Sequence, residues 1–307
     1  MKLSIVTTLY HSSPYIIEFY ERISKAASKI TGEYEIIFVN DGSPDDSLGT
    51  VIELFEKDNK IKIIDLSRNF GHHKAMMTGL SYAKGDYVFL IDCDLEEEPE
   101  LLERFWMELQ NSKDTDVVFG VQETRKGNLF EQYTGKLFYK IFNVLSDYKI
   151  PENFLVVRLM TGRYVENLIK HNETDLIFSA ISIYTGFNQK PLYVKKHCKR
   201  KTVYTFKRKI SLAVNSIISF SAKPLVYICY LGFFILSISS LAILWLLIRK
   251  LYYSMAMTGW TSLIVSVWFF GGLNLFCTGL IGIYLEKLFK QTKNRPFTII
   301  KQIYEKI

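Results

Sequence analysis

Residues 1–121 alternate between short apolar runs typical of strands and longer amphipathic runs typical of helices. This alternation is the strongest constraint on the fold, because strands joined by helices form a mostly parallel sheet that helices cover on both faces. The predicted strands are residues 3–9, 34–40, 60–66, 87–91 and 116–121. The predicted helices are residues 13–30, 44–57, 73–83 and 99–112. The N-terminal part of the chain is therefore expected to be an α/β domain.

Short polar segments follow three of these strands: residues 40–43, residues 67–72 and Asp92-Cys93-Asp94. Ligands of parallel sheets bind at the carboxyl ends of the strands, so the three segments are expected to meet at one edge. Asp41 is suited there to accept hydrogen bonds from a base or a ribose. The alternative is an ordinary turn, for which Asp-Gly-Ser-Pro is also a favourable sequence.

The spacing of Asp92 and Asp94 predicts a metal site. Side chains alternate between the faces of a strand, so two carboxylates one residue apart can point the same way. Carboxylate oxygens suit Mg²⁺ or Mn²⁺, and such ions stabilise a leaving diphosphate. A solvated acidic turn is the alternative, because further glutamates follow up to Glu100. His72 and His73 are interpreted as structural or hydrogen-bonding residues rather than metal ligands.

Two apolar segments, residues 224–248 and 260–285, are each long enough to cross a bilayer. Basic residues cluster beside them at 195–209 and 287–301, as on the cytoplasmic side of membrane proteins. Two buried helices of a soluble domain are the alternative. The predicted domains are a cytoplasmic catalytic domain (1–204), an amphipathic interface helix (205–223) and a two-span membrane hairpin with a basic tail (224–307).

The net charge of +7 comes with a hydrophobic content of 49%. Because the basic clusters lie beside apolar segments, membrane lipid is the expected partner and nucleic acid is not. The four cysteines show no metal-ligand spacing and are expected to be reduced. Homo-oligomerisation stays open.

Six motifs in order resemble those of the family 2 glycosyltransferases. They are residues 39–43, 67–72, 92–100, 158–160, 219–225 and 293–296. The chain is most similar to bacterial polyprenyl-phosphate glycosyltransferases of O-antigen modification, the bactoprenol glucosyltransferase type, and to dolichol-phosphate mannose synthases. This resemblance covers almost the whole chain and implies a GT-A fold.

The resemblance also implies roles for individual residues. The nucleotide sugar would contact Thr8, Tyr10, Asp41 and Asp92. The ion, Mg²⁺ or Mn²⁺, would be held by Asp94, Asp92 and Glu96, the last of which stands where the family usually has Gln. The catalytic assignments are Asp94, Arg125 beside the phosphates, and Arg158 of the family's Asp-Phe-Arg-Leu-Met segment. For Arg125, a solvated surface position is an equal alternative.

One departure bears on the acceptor, because Val156 replaces the Asp of that segment. A hydroxyl acceptor needs a general base. A phosphate monoester, whose second pKa is near 6, is largely a dianion already and needs only to be positioned. We therefore expect transfer from a nucleotide sugar to undecaprenyl phosphate at the bacterial inner membrane, for cell-surface polysaccharide such as lipopolysaccharide. The acceptor phosphate would meet Arg200, Lys201, Lys207 and Arg208. The alternatives are transfer to a hydroxyl of a lipid-linked glycan and a non-catalytic membrane scaffold.

Overall fold

The computed structural model describes residues 1–112, 114–123, 153–171, 173, 178–195, 223–253, 259–293 and 295–306. The strands are β1 (Leu3–Leu9), β2 (Tyr34–Asn40), β3 (Ile61–Leu66), β4 (Tyr87–Leu90), β5 (Val117–Gln122), β6 (Phe154–Thr161), β7 (Gln189–Val194) and β8 (Ile300–Tyr304). The helices are α1 (Ile16–Ile30), α2 (Ser47–Lys57), α3 (His72–Ser81), α4 (Leu101–Gln110), α5 (Gly162–Leu168), α6 (Phe178–Tyr184), α7 (Lys223–Tyr253) and α8 (Trp260–Thr292).

The eight strands form one sheet in the order β7-β5-β6-β4-β1-β2-β3-β8. The pairs β1–β2, β1–β4, β2–β3 and β5–β7 are parallel, which confirms the prediction of an α/β fold with a mostly parallel sheet. Every residue of β1 and β3 is buried, as strands covered by helices on both faces require. The five predicted strands and four predicted helices lie within a few residues of their predicted ends.

Helices cover both faces of this sheet. Helix α1 buries apolar residues three and four positions apart, among them Phe19 and Ile23, so it packs one stripe against the core. Helix α3 packs on β1 and β2 and buries residues 75–80, whereas His72 at its start is exposed. Its Gly79 lies against the strands so closely that a Cβ there would come 2.4 Å from Val6 Cγ1. The close approach of α3 brings its N-terminus to the carboxyl edge of the sheet.

Strand β6 runs antiparallel between β4 and β5, which the sequence did not reveal. Leu90 of β4 is paired with Arg158, and Phe119 of β5 is paired with the same residue from the other side. Arg158 therefore sits on a central strand of the sheet. This position determines the surroundings of its side chain.

The C-terminal residues require a correction of the predicted domains. The sequence pattern predicts one membrane hairpin with a basic tail over residues 224–307. Instead, residues 300–304 form β8, which pairs antiparallel with β3 and completes one edge of the sheet. Ser67 N–H donates to Ile299 O at 2.9 Å, and Thr78 and Thr298 are joined through their hydroxyls at 2.8 Å. The C-terminal segment thus belongs to the same compact unit as the sheet.

Helices α7 and α8 belong to a second unit and are 31 and 33 residues long. Within the described residues, one segment is long and apolar enough to cross a membrane: residues 269–292, with none of its apolar window buried. A shorter apolar segment, residues 225–235, lies in α7. The predicted pair of membrane spans is therefore not confirmed as a pair. The boundary at residues 204 and 205 and the interface helix at 205–223 lie almost entirely outside the described residues and stay predictions.

Candidate active site at the carboxyl edge of the sheet

The loops that follow β1, β2 and β3 meet at the carboxyl edge of the sheet. The N–H of His11, after β1, donates to Ser43 Oγ at 2.8 Å. Gly42, after β2, has a φ of +60°, and a Cβ there would lie 2.5 Å from the backbone nitrogen of Asn69. Only glycine allows this contact together with this backbone conformation. The loops after β2 and β3 therefore pack backbone to backbone.

Asp41 fixes the loop that follows β3. Its side chain lies at the end of β2, only 2% exposed, and accepts hydrogen bonds from Phe70 N–H at 2.7 Å and Gly71 N–H at 3.1 Å. Burial raises the pKa of the Asp41 carboxyl, and the two backbone donors oppose that shift. Asp41 thus shapes the start of α3. Its predicted contact with the nucleotide stays a prediction.

Thr8, His72 and Asp92 form a chain of contacts across the site. Thr8 Oγ1, on β1, lies 3.1 Å from His72 Nδ1 at the start of α3. His72 Nε2 lies 3.3 Å from Asp92 Oδ1, which follows β4. Two residues assigned to the nucleotide sugar are thereby joined through a histidine. The partners of this histidine are not visible in the sequence, because they depend on the packing of α3 against the sheet.

The acidic segment after β4 alternates in burial. Asp92, Asp94 and Glu96 are partly exposed, whereas Cys93 and Leu95 between them are buried. The three carboxylates thus share the accessible side of the segment, although Leu95 has a φ of +58° and interrupts the extended backbone. Asp94 Oδ1 accepts a hydrogen bond from Glu96 N–H at 3.0 Å, which orders the turn. Asp92 and Asp94 are thus both accessible, and the metal site predicted from their spacing stays a prediction.

The three carboxylates suit a divalent metal ion that also takes ligands from the substrate. Among the described residues, no three Asp, Glu, His or Cys side chains converge on one point that could hold a metal. Asp92, Asp94 and Glu96 are thus not a preformed three-ligand cage. Mg²⁺ sites of phosphate-transferring enzymes commonly use one or two carboxylates, with water and substrate phosphates as the other ligands. The exposed, all-oxygen donors after β4 suit such a site.

Tyr10 lies at the entrance to the site. It follows β1 directly, is 49% exposed and makes an edge contact with the His11 ring at a centroid distance of 4.7 Å. An exposed aromatic ring beside the carboxyl ends of the strands is well placed to stack on a base. The contact of Tyr10 with a nucleotide stays a prediction.

Arg158 is placed differently from its predicted role. Its side chain is fully buried and lies between the rings of Phe154 and Phe178. The guanidinium donates to Val156 O at 2.9 Å, to Leu155 O at 3.2 Å and to the hydroxyl of Ser182. Burial lowers its pKa to about 10. These contacts hold Arg158 against β6 and α6, and its predicted catalytic role stays a prediction.

Val156 lies on β6, two residues before Arg158. The pairing of β4 with β6 ends at Leu90 and Arg158, so it does not reach Val156 or Asp92. Val156 replaces the family's Asp, and its apolar side chain supplies no proton acceptor.

Five predicted site residues lie outside the described residues. They are Arg125, Arg200, Lys201, Lys207 and Arg208. Their roles stay predictions.

Residues 4–192 match the family model described as glycosyl transferase family 2. The chain belongs to glycosyl transferase family 2. The bactoprenol glucosyl transferase of Shigella phage SfII is 32% identical over 98% of this chain and 98% of its own. That of Shigella phage SfV is 31% identical over the full length of both. A Mycobacterium tuberculosis protein with a provisional glycosyltransferase name is 50% identical over 99% of this chain and 89% of its own.

Solved structures are more distant from this family 2 glycosyltransferase. The crystal structure of glucosyl-3-phosphoglycerate synthase from Mycobacterium tuberculosis with Mn²⁺, uridine diphosphate and phosphoglyceric acid is 16% identical, with a TM-score of 0.48. The match covers 71% of this chain and 76% of that one. A likeness of this degree carries no functional argument. The full-length match to the phage proteins, by contrast, includes the helices α7 and α8 of this glycosyltransferase.

Proposed function

We propose that this glycosyltransferase transfers a hexose-type sugar from a nucleotide-sugar donor to undecaprenyl phosphate. The observation that carries the proposal is the end-to-end similarity to two bactoprenol glucosyl transferases. Bactoprenol is the undecaprenyl lipid of bacteria. The acceptor site, the catalytic face at the cytoplasmic side of the inner membrane and a role in cell-surface polysaccharide belong to the same proposal.

The donor would bind at the carboxyl edge of the sheet. The base and ribose would lie near Tyr10 and Asp41, and the diphosphate near the segment after β4. Asp92 and Asp94, supported by Glu96, would hold Mg²⁺ or Mn²⁺. When bound, such an ion neutralises the charge that develops on the departing diphosphate. Arg125 would add a positive charge beside the phosphates.

The reaction then requires little proton transfer. An oxygen of the lipid phosphate attacks C1 of the sugar, while the bond from C1 to the diphosphate oxygen breaks. The nucleoside diphosphate leaves with the bonding electrons, and the configuration at C1 inverts. Because the attacking phosphate is already anionic near neutral pH, no protein base has to remove a proton. An apolar Val156 in place of the family's Asp is compatible with this acceptor.

The helices α7 and α8 would bring the site to the bilayer. Large apolar side chains on both helices are exposed, for example Phe233 at 69% and Leu275 at 76%. Exposed apolar surface of this kind is favourable in lipid, whereas its exposure to water raises the free energy of the folded protein. The proposal is that both helices cross the membrane, and that Arg200, Lys201, Lys207 and Arg208 meet the acceptor phosphate at its surface.

Incubation of the purified full chain with undecaprenyl phosphate and a panel of nucleotide sugars tests the proposal. We expect one donor to yield a lipid product heavier by one sugar residue in the mass spectrum. A matched reaction with undecaprenol, which lacks the phosphate, should yield none. Should the chain bind nucleotide but glycosylate only a lipid-linked sugar, the hydroxyl-acceptor alternative would be correct. Should it bind no nucleotide under any condition, the scaffold alternative would stand.

A further inference from the structure

His72 lies between two strands that each carry a predicted donor-site residue. Its ring is 3.1 Å from Thr8 Oγ1 on one side and 3.3 Å from Asp92 Oδ1 on the other. Thr8 is a buried residue of β1, and Asp92 follows β4, which is the neighbouring strand. The imidazole therefore bridges a fixed residue of the sheet and a carboxylate of the accessible segment.

The chemistry of Thr8 and Asp92 determines which nitrogen of the His72 ring donates a hydrogen bond and which accepts one. A carboxylate only accepts hydrogen bonds, so His72 Nε2 must carry the hydrogen that faces Asp92. In the neutral ring, Nδ1 is then an acceptor and the hydroxyl of Thr8 donates to it. The hydroxyl thus orients the ring, and the ring orients the carboxylate. Arrangements of this kind commonly fix the direction of a metal-binding group.

The backbone of His72 is fixed as well. Asp41 accepts hydrogen bonds from the backbone N–H groups of Phe70 and Gly71, the two residues immediately before His72. Gly71 has a φ of +103°, so the chain turns sharply before α3 begins. Asp41 thus holds the start of the helix, and Thr8 holds the ring that the helix presents. Both contacts direct the same imidazole towards Asp92.

We propose that His72 is a positioning residue for Asp92, holding its carboxylate in the orientation that binds the donor diphosphate and its metal. This inference rests on the proposed function, because it takes Asp92 to be part of the donor site. It assigns to Thr8 a role through His72 rather than a direct contact with the nucleotide sugar. His72 itself touches neither the metal nor the sugar.

Two substitutions separate the two contacts of the ring. The side-chain amide of Gln extends about as far as the Nε2 of histidine, whereas that of Asn ends near the position of Nδ1. His72→Gln therefore keeps a donor for Asp92, and His72→Asn keeps only the contact with Thr8. His72→Ala removes both, and Thr8→Val removes the hydroxyl that orients the ring. His73→Ala, one residue along the same helix, is the matched control.

The test is isothermal titration of the detergent-solubilised full chain with UDP, or with GDP if the wild type prefers it, over a series of Mn²⁺ concentrations. We expect His72→Ala and His72→Asn to raise the Kd about tenfold, because a hydrogen bond to a charged group is lost. Both should also need more Mn²⁺ for half-maximal nucleotide binding. His72→Gln should stay within about threefold of the wild type, Thr8→Val should fall between, and His73→Ala should not differ.

Each outcome bears on the inference. Equal weakening by Gln and Asn, or weakening that follows a fall in Tm, would overturn it in favour of a structural role. Normal binding by His72→Ala, with weak binding by Asp92→Asn, would overturn it while leaving the proposed donor site intact. If Asp92→Asn also binds normally, the donor site is wrong and the inference falls with it. A wild type that binds none of the nucleoside diphosphates of the donor panel would overturn both the inference and the proposed function.

Discussion

Lys62 of β3 and Glu305 of the C-terminal segment form an ion pair with 3.0 Å between Nζ and Oε2. The Lys62 side chain is only 5% exposed, whereas that of Glu305 is 47% exposed. A buried ammonium group is costly unless an anion accompanies it. The C-terminal segment therefore both extends the sheet and compensates a charge at its edge.

Glu305→Gln should lower the stability of the sheet. Discounted for the exposure of Glu305, the expected loss in the free energy of unfolding is about 1 kcal/mol. Lys62 lowers the pKa of the Glu305 carboxyl, so the stabilisation is present above the unfolded value of 4.5 and is lost as pH falls through the lower folded pKa. Thermal unfolding at pH 7 and below pH 4 measures this, and the two proteins should converge at the lower pH.

Glu103→Gln is a matched control for that substitution, since Glu103 pairs with the exposed Lys29. Its effect should be within about 0.5 kcal/mol at both pH values. An equal loss of stability in the two variants would contradict the role assigned to the buried Lys62.

Asp94→Asn should abolish sugar transfer while leaving the fold unchanged. Loss of a metal carboxylate removes several kcal/mol of leaving-group stabilisation, so the rate should fall about a thousandfold or more. Turnover measured with saturating Mg²⁺ or Mn²⁺ tests this. Asp114→Asn, an exposed change near the opposite ends of the strands, should retain wild-type turnover. Near-normal turnover of Asp94→Asn would remove Asp94 from the site.

The periodicity of residues 1–121 was sufficient to predict β1 to β5 and α1 to α4, because each of these elements carries its own local hydrophobic pattern. The same periodicity also predicts that the polar segments after the strands lie at one edge of the sheet, since parallel strands share their direction. The partners of His72 and Arg158 could not be predicted, because they come from other elements after packing. Strand β8 was missed for a related reason. The residues of β8 pair with β3, which lies far from them in the sequence. Their basic character is typical of a segment beside a membrane span.

Arg158→Lys should destabilise the protein by about 2–4 kcal/mol, because lysine cannot serve Leu155 O, Val156 O and Ser182 at once. The Tm of the variant should therefore be lower than that of the wild type. Sugar transfer per folded molecule should be largely retained at low temperature. Arg104→Lys, an exposed arginine that donates to Tyr193 O, is the control and should have little effect. If Arg158→Lys instead folds normally and loses transfer, Arg158 acts in catalysis as the family resemblance implies.

Replacement of Arg200, Lys201, Lys207 and Arg208 by Gln should raise the KM for the lipid acceptor more than that for the donor. Each basic residue near an anionic surface contributes about 1 kcal/mol, so the combined effect should be large. Steady-state kinetics with each substrate varied in turn measure it, on protein shown to keep its orientation. Equal effects on both substrates, or none, would leave these residues only a role in topology.

Strand β8 has a consequence for the number of times the chain can cross a membrane. Strands β1 to β7 precede α7 and α8, and β8 follows them, yet all eight belong to one sheet. Both ends of the intervening chain must therefore lie in the same aqueous compartment, so its complete crossings are even in number. If residues 269–292 span the bilayer, another segment must cross back, and among the described residues α7 is a long apolar helix that could do so. The helices are then an insertion within the catalytic fold, and truncation at residue 223 would also remove an edge strand from the sheet.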